Sequence, residues 1–245
     1  MDIITQITLI TSICLNILLI GLVINFIMKR GGLLYLRRKF PFGLYKIRQI
    51  SMYDNPFYWD KKSHFETLSN SESAIVFLGD SLTDLCEWSE IFMNENIKNR
   101  GICGDTTDGI LNRISHIIES KPAKLFLMIG INDLNQGISV EDVANNYQLI
   151  LESLQNKIPK EQVFIQSLLP INNQLRNNDI NQKIVVLNDK IRGLTQVLCF
   201  QYVNLFPAFL DKENQLDMQY TSDGVHLNGR GYLVWKDIIE KYVVN

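Results

Sequence analysis

The sequence predicts an α/β fold built on a parallel sheet, and three observations carry that expectation. Short apolar runs end at glycine or proline. Segments of helical length, with apolar residues three and four apart, lie between them. The two kinds alternate from residue 74 onward. A chain of 245 residues, 46% hydrophobic and 20% charged, can bury a large core, and this composition excludes a mostly disordered protein. The net charge of −2 excludes a nucleic-acid binder taken as a whole. Cys14, Cys86, Cys103 and Cys199 share no C-x-x-C spacing, so neither a disulfide scaffold nor a zinc site follows from them.

Taken in order, residues 1–28 come first. Ile3 to Met28 holds no Asp, Glu, Lys or Arg. As a helix that run reaches roughly 39 Å, enough to cross a hydrocarbon layer of about 30 Å. The Met-Asp start lacks the basic n-region of a cleaved signal peptide, so an uncleaved transmembrane anchor is expected over 1–28. Residues 29–48 then carry seven basic and no acidic side chains, net +7, against −8 for residues 49–245. The positive-inside rule puts that flank, and the domain behind it, on the cytoplasmic side. Residues 29–73 are expected to form a basic and aromatic juxtamembrane neck: the aromatic stretch at 33–59 suits either an interfacial segment on the bilayer or a helical neck packed on the domain, and the polar end at 60–73 reads as a linker.

A repeating pattern of strand and helix follows over 74–245. Strands are expected at Ala74–Leu78, Lys124–Ile129, Gln162–Leu168 and Tyr202–Phe206, with a more polar one at Ile97–Ile102. Helices are expected over 108–119, 140–157, 179–198 and 229–243. Ser139 caps the second of these, and Gly229 and Gly231 open the last. Residues 171–182 form a polar loop after the fourth expected strand, which either borders the pocket or, on the blander reading, is a solvated connection. A parallel sheet of this kind has both faces covered, and its sites form beyond the carboxyl ends of its strands.

The chemistry gathers at those ends. Gly79-Asp80-Ser81-Leu82 follows the first strand, where a serine opens a helix. Its hydroxyl needs a base to become a nucleophile. Of His64, His116 and His226, the last stands in Asp223-Gly224-Val225-His226, just before the final helix. A carboxylate three residues ahead of a histidine, across a glycine turn, can hold one ring nitrogen and leave the other to take the serine proton. An oxyanion needs donors: the backbone N–H groups of Ser81 and Gly104 and the side-chain amide of Asn132 supply three. Asp80 is expected to order the turn, and Cys103 to be a small buried thiol.

These four blocks, in this order, resemble the GDSL family of SGNH hydrolases over about residues 74–245. The signature residues fall on Ser81 in Gly-Asp-Ser-Leu, Gly104 in Arg-Gly-Ile-Cys-Gly-Asp, Asn132 in Gly-Ile-Asn-Asp and His226 in Asp-Gly-Val-His-Leu. Phe77 to Thr83 and Gln166 to Pro170 are similar to the subgroup that holds the catalytic subunits of intracellular platelet-activating-factor acetylhydrolase. The resemblance implies a flavodoxin-like three-layer α/β/α sandwich and a Ser81–His226–Asp223 triad, with no metal and no cofactor. It implies cleavage of small acyl esters, whether lipid or acetylated sugar. A catalytically inactive membrane scaffold of the same fold is the alternative. Gly79 to Asp84 also spells a magnesium-type G-D-x-x-x-D phosphatase pattern, but no Asp-x-Asp precedes it. No G-x-G-x-x-G turn for a dinucleotide is present. The sequence specifies no oligomeric state.

Overall fold

A computed structural model describes residues 55–68, 72–176 and 178–244, together with positions 16, 21 and 25. The chain divides into two units, Met1–Arg48 and Gln49–Asn245. Asn16, Gly21 and Asn25 in the first are helical, and everything below concerns the second. Apart from those three positions, the expected anchor at 1–28 lies outside the described residues, as does most of the basic neck. Among the described residues no helix is long and apolar enough to cross a membrane.

Five strands form one parallel sheet: β1 (Ile75–Gly79), β2 (Ile97–Gly101), β3 (Lys124–Met128), β4 (Val163–Gln166) and β5 (Gln201–Val203), in the order β2-β1-β3-β4-β5. That is the doubly wound order whose switch point lies beside β1. The expected strand over Tyr202–Phe206 stops early. Ser167 Oγ accepts the N–H groups of Leu205 and Phe206, each at 2.9 Å, and so draws the chain out of the ladder.

The described helices are α1 (Pro56–Thr67), α2 (Ser81–Asp84), α3 (Trp88–Ile91), α4 (Thr107–Glu119), α5 (Ile131–Asn135), α6 (Val140–Leu154), α7 (Asn173–Arg176), α8 (Asn181–Leu198) and α9 (Gly229–Val244). Short polar side chains start several of them by accepting orphan N–H groups. Thr106 caps α4 through Gly109 N–H, and Ser139 caps α6 through Asp142 N–H. The segment read as a linker from residue 60 is therefore helical as far as Thr67.

Alternation along the strands splits the core in two. Val76, Leu78, Leu125, Leu127, Val163 and Ile165 face α4, α6 and α8. Ile75, Phe77, Phe126, Met128 and Phe164 face the other way, onto Trp88 and the α9 side chains Tyr232, Trp235 and Ile239. Strand register puts Phe77 beside Phe126 and Phe126 beside Phe164, so their rings stack across the sheet at 4.8 and 4.7 Å. Trp88 continues the stack over Phe77 at 4.3 Å. Both buried indoles find acceptors: Trp88 Nε1 donates to Thr83 O at 2.9 Å and Trp235 Nε1 to Gln166 Oε1 at 2.7 Å. This rigid face holds the carboxyl end of β1, and with it Ser81.

Candidate active site

Ser81 is the first residue of α2, directly beyond β1. Asp80 caps that helix by accepting Leu82 N–H at 3.0 Å on Oδ1. Its Oδ2 is buried without a hydrogen-bond partner. Burial pushes the carboxyl up to about 7, and the charges of Asp105 and Asp133 add to this against the Leu82 hydrogen bond. A folded value above the unfolded value stabilises the protein fully below pH ~4, and that stabilisation is lost as pH rises through about 7. Replacing Asp80 with Asn keeps the capping oxygen and removes the titration. The melting temperature of Asp80→Asn minus that of the wild type is therefore expected to grow between pH 5 and pH 8. A difference independent of pH would refute the reading.

The Asp223–His226 segment is a self-locked turn. Asp223 Oδ1 accepts the N–H groups of Val225 at 2.9 Å and His226 at 2.8 Å, and Thr221 Oγ1 accepts Gly224 N–H at 2.9 Å. Gly224 has φ +87°, and an added Cβ would meet Arg176 Cγ at 2.9 Å and Asn172 O at 3.0 Å. Asp223 Oδ2 then lies 2.7 Å from His226 Nδ1, and His226 Nε2 lies 2.9 Å from Ser81 Oγ. An ionised carboxylate only accepts, so the ring proton sits on Nδ1 and Nε2 is left to accept from the serine hydroxyl. Partial burial pushes the Asp223 carboxyl up. The hydrogen bonds from Val225 and His226, with the imidazole's charge, outweigh it and bring the group down to about 2. Ser81 is buried, whereas the His226 and Asp223 side chains keep 37% and 42% of their surface, so the site opens to solvent.

The expected oxyanion donors follow the neighbouring strands. Asp105 N–H donates to Ile102 O at 3.0 Å, closing a turn after β2 with Gly104 in its third position at φ +81°. A type II turn needs that positive φ, hence glycine. Asn132 lies in α5 after β3, and one of its two amide hydrogens is held by Asp105 O at 2.9 Å. The other remains for a ligand. Asn132→Ala is expected to lower kcat by about 10²–10³ with the fold intact. An unchanged kcat would remove Asn132 from the site.

Beneath these residues lies a buried polar layer that the sequence reading missed. Arg113 pairs with Asp105 at 2.8 Å and donates to Gly79 O at 3.1 Å, joining the end of β1 to the Asp105 turn. Asp133 accepts Thr107 N–H at 3.0 Å, fixing α5 to α4. Asp105 stood in the quoted Gly104 block and Asp133 in the Asn132 block, so acidic residues next to expected donors were the available signal. Cys103 is half-buried, and its thiol donates to Asp84 Oδ2 at 3.1 Å. Burial, then the Asp84 hydrogen bond and charge, push that thiol up to about 12, so it stays protonated as a donor.

Residues 171–182 are only in part a solvated connection. Ile171 and Asn172 are buried, α7 lies within the segment, and Asn172 N–H donates to Gly224 O at 2.8 Å. Arg176 reaches to 3.9 Å from Asp223 Oδ2. His64 is exposed on α1 and His116 lies on α4, so of the three histidines His226 alone meets Ser81.

This geometry stands at the switch point of the β2-β1-β3-β4-β5 sheet, and the chain that carries it is similar to known proteins. The sequence pattern of the GDSL-like Lipase/Acylhydrolase family matches residues 77–234. The chain belongs to that family. Platelet-activating factor acetylhydrolase IB subunit alpha2 of Homo sapiens is 26% identical over 170 residues, 66% of this chain and 72% of that protein. A GDSL-like lipase from Bacteroides thetaiotaomicron is 28% identical, covers 76% of this chain and 96% of its own, and superposes with a TM-score of 0.66. An acetyl-xylooligosaccharide esterase from Geobacillus, at 15% identity and a TM-score of 0.59, shares the fold. The three-layer α/β/α architecture expected from the sequence is thus that of the SGNH hydrolases, and this GDSL protein is an esterase or lipase, a carboxylic ester hydrolase.

Proposed function

We propose that this GDSL hydrolase is a membrane-anchored serine esterase acting on short acyl groups, with Ser81, His226 and Asp223 as its triad. The observation that carries the reading is the unbroken relay Ser81 Oγ–His226 Nε2 at 2.9 Å and His226 Nδ1–Asp223 Oδ2 at 2.7 Å. Ser81 Oγ attacks the ester carbonyl carbon while its proton passes to His226 Nε2. The carbonyl π pair moves onto oxygen, which Ser81 N–H, Gly104 N–H and the Asn132 amide stabilise. Collapse breaks the bond to the alcohol, which leaves with the proton from His226, and an acyl ester remains on Ser81. Water, giving a proton to His226, attacks that ester; the acyl–Oγ bond then breaks as His226 returns the proton to Ser81 Oγ, releasing the acid.

The named activity of the acetylhydrolase relatives supports acetyl as the acyl group. The uncharged run at 3–28 supports an anchor, and lipids of the lysophospholipid or acetylated type are then at hand. The open rim at His226 and Asp223 leaves room for a large alcohol portion, which an acetylated sugar would also fill. An intact relay argues against the inactive scaffold. The test is the full chain in detergent with chelator present, assayed on p-nitrophenyl acetate, butyrate and octanoate and treated with a fluorophosphonate probe. Labelling and a preference for acetate are expected. A folded protein that neither labels nor turns over any ester would end the proposal. The +7 flank supports a cytoplasmic domain; labelling of a C-terminal engineered cysteine by an impermeant reagent in intact cells would reverse that orientation.

A further inference from the structure

Helix α1 lies ahead of residues 77–234, the part that the family pattern matches, yet it grips the turn that carries Gly104. Lys61 Nζ donates to Asp84 Oδ1 at 2.8 Å. The other oxygen of the same carboxylate accepts Cys103 N–H at 3.3 Å and the Cys103 thiol at 3.1 Å. Asp84 is almost buried, at 11% side-chain exposure, so its charge is compensated by Lys61 rather than by water. One residue earlier, Ile102 begins the turn and is fully buried in a cluster with Tyr58 and Phe65 of α1. Tyr58 also anchors the helix by donating to Gly109 O at 2.9 Å. The first residue of the Gly104 turn is thus packed directly by α1, and the second is held by Asp84, which α1 reaches through Lys61.

We propose that α1 is a positioning element for the oxyanion turn, with Lys61 acting through Asp84 on Cys103 and so setting where the Gly104 N–H stands. The inference rests on Gly104 being an oxyanion donor, as proposed above. Lys61 touches no reacting atom. Removing it leaves a nearly buried carboxylate without its cation, and the cheapest relief is for Asp84 to turn toward water and let go of Cys103. The Gly104 N–H then loses its fixed aim. A donor that is loosened costs less than one that is removed.

The test compares full-length wild type, Lys61→Met and Lys61→Arg, with Ser81→Ala as the inactive reference. Lys61→Met is expected to lower kcat by about tenfold, a fraction of the loss from deleting a donor outright, with KM within about twofold. Lys61→Arg keeps the cation and should recover most of the rate. Hydrogen exchange at the amides of Cys103 and Gly104 should quicken in Lys61→Met and leave β1 and β3 unchanged. An unchanged kcat overturns the proposal, whether or not exchange quickens. So does a fall in kcat accompanied by faster exchange across the whole sheet, which marks general destabilisation. If the wild type is as inactive as Ser81→Ala, the esterase reading is what fails, and the exchange at Cys103 and Gly104 alone then decides whether Lys61 holds the turn.

Discussion

Ser81→Ala is expected to remove ester hydrolysis down to the level of the uncatalysed reaction assisted by binding alone, a loss of kcat on the order of 10⁶. Among the described residues Ser81 Oγ is the group hydrogen-bonded to His226 Nε2, at 2.9 Å, and alanine offers no nucleophile for the imidazole to activate. The side chain is small and caps no helix, because Asp80 does that through Leu82 N–H, so the fold should survive. Steady-state rates on p-nitrophenyl acetate and covalent labelling by a fluorophosphonate read the result together. Residual turnover within about tenfold of wild type, in protein freed of contaminating esterases, would mean that another group is the nucleophile.

The second large effect is expected at Asp223, through the position of one proton. Asp223 Oδ1 already takes two backbone N–H groups, so an asparagine would keep its oxygen there and turn its amide toward His226 Nδ1. That amide donates, Nδ1 must accept, and the ring proton moves to Nε2. The nitrogen facing Ser81 can then no longer take the serine proton. Asp223→Asn is expected to lower kcat by about 10⁴ with little change in melting temperature. A loss below tenfold would show that the tautomer is set elsewhere, with Arg176 at 3.9 Å from Asp223 the first place to look. The carboxyl is held down to about 2, below its unfolded value. Its contribution to stability is therefore present above pH ~4 and lost as pH falls through about 2, so Asp223 is ionised throughout any ordinary assay.

Much of this site was legible because its residues sit where local rules act. Ser81 and Asn132 each follow an apolar run, Gly104 follows a more polar strand, and Asp223 and His226 are bound within one four-residue turn. The buried layer beneath them was not legible. Arg113 meets Asp105 one face of α4 away, and Asp133 meets Thr107 across 26 positions. Neither pairing leaves a periodic trace. The same holds for α1, whose buried side chains are Tyr58 and Phe65 alone, seven residues apart in a polar segment. Two buried side chains in twelve residues do not make a visible stripe; residues from 60 onward read as a linker, and the aromatic stretch up to residue 59 reads equally as an interfacial segment or as a helical neck packed on the domain. A chain truncated at residue 60 would lose Tyr58 and its hold on Gly109.

By itself the sequence determined the alternation of strand and helix, and the candidate residues at the strand ends and in the turn before the last helix. Those features depend on side-chain period and turn chemistry among residues a few positions apart. Tertiary structure decided what holds them in place: the closure of His226 onto Ser81 across 145 positions, α7 against the Gly224 turn, and α1 upon the turn at Gly104. Lys61 and Asp84 are 23 residues apart and Tyr58 and Gly109 are 51 apart. Contacts at that separation form only when helices have packed on a sheet, since burial and the pairing of buried charge select them rather than any local preference of the chain.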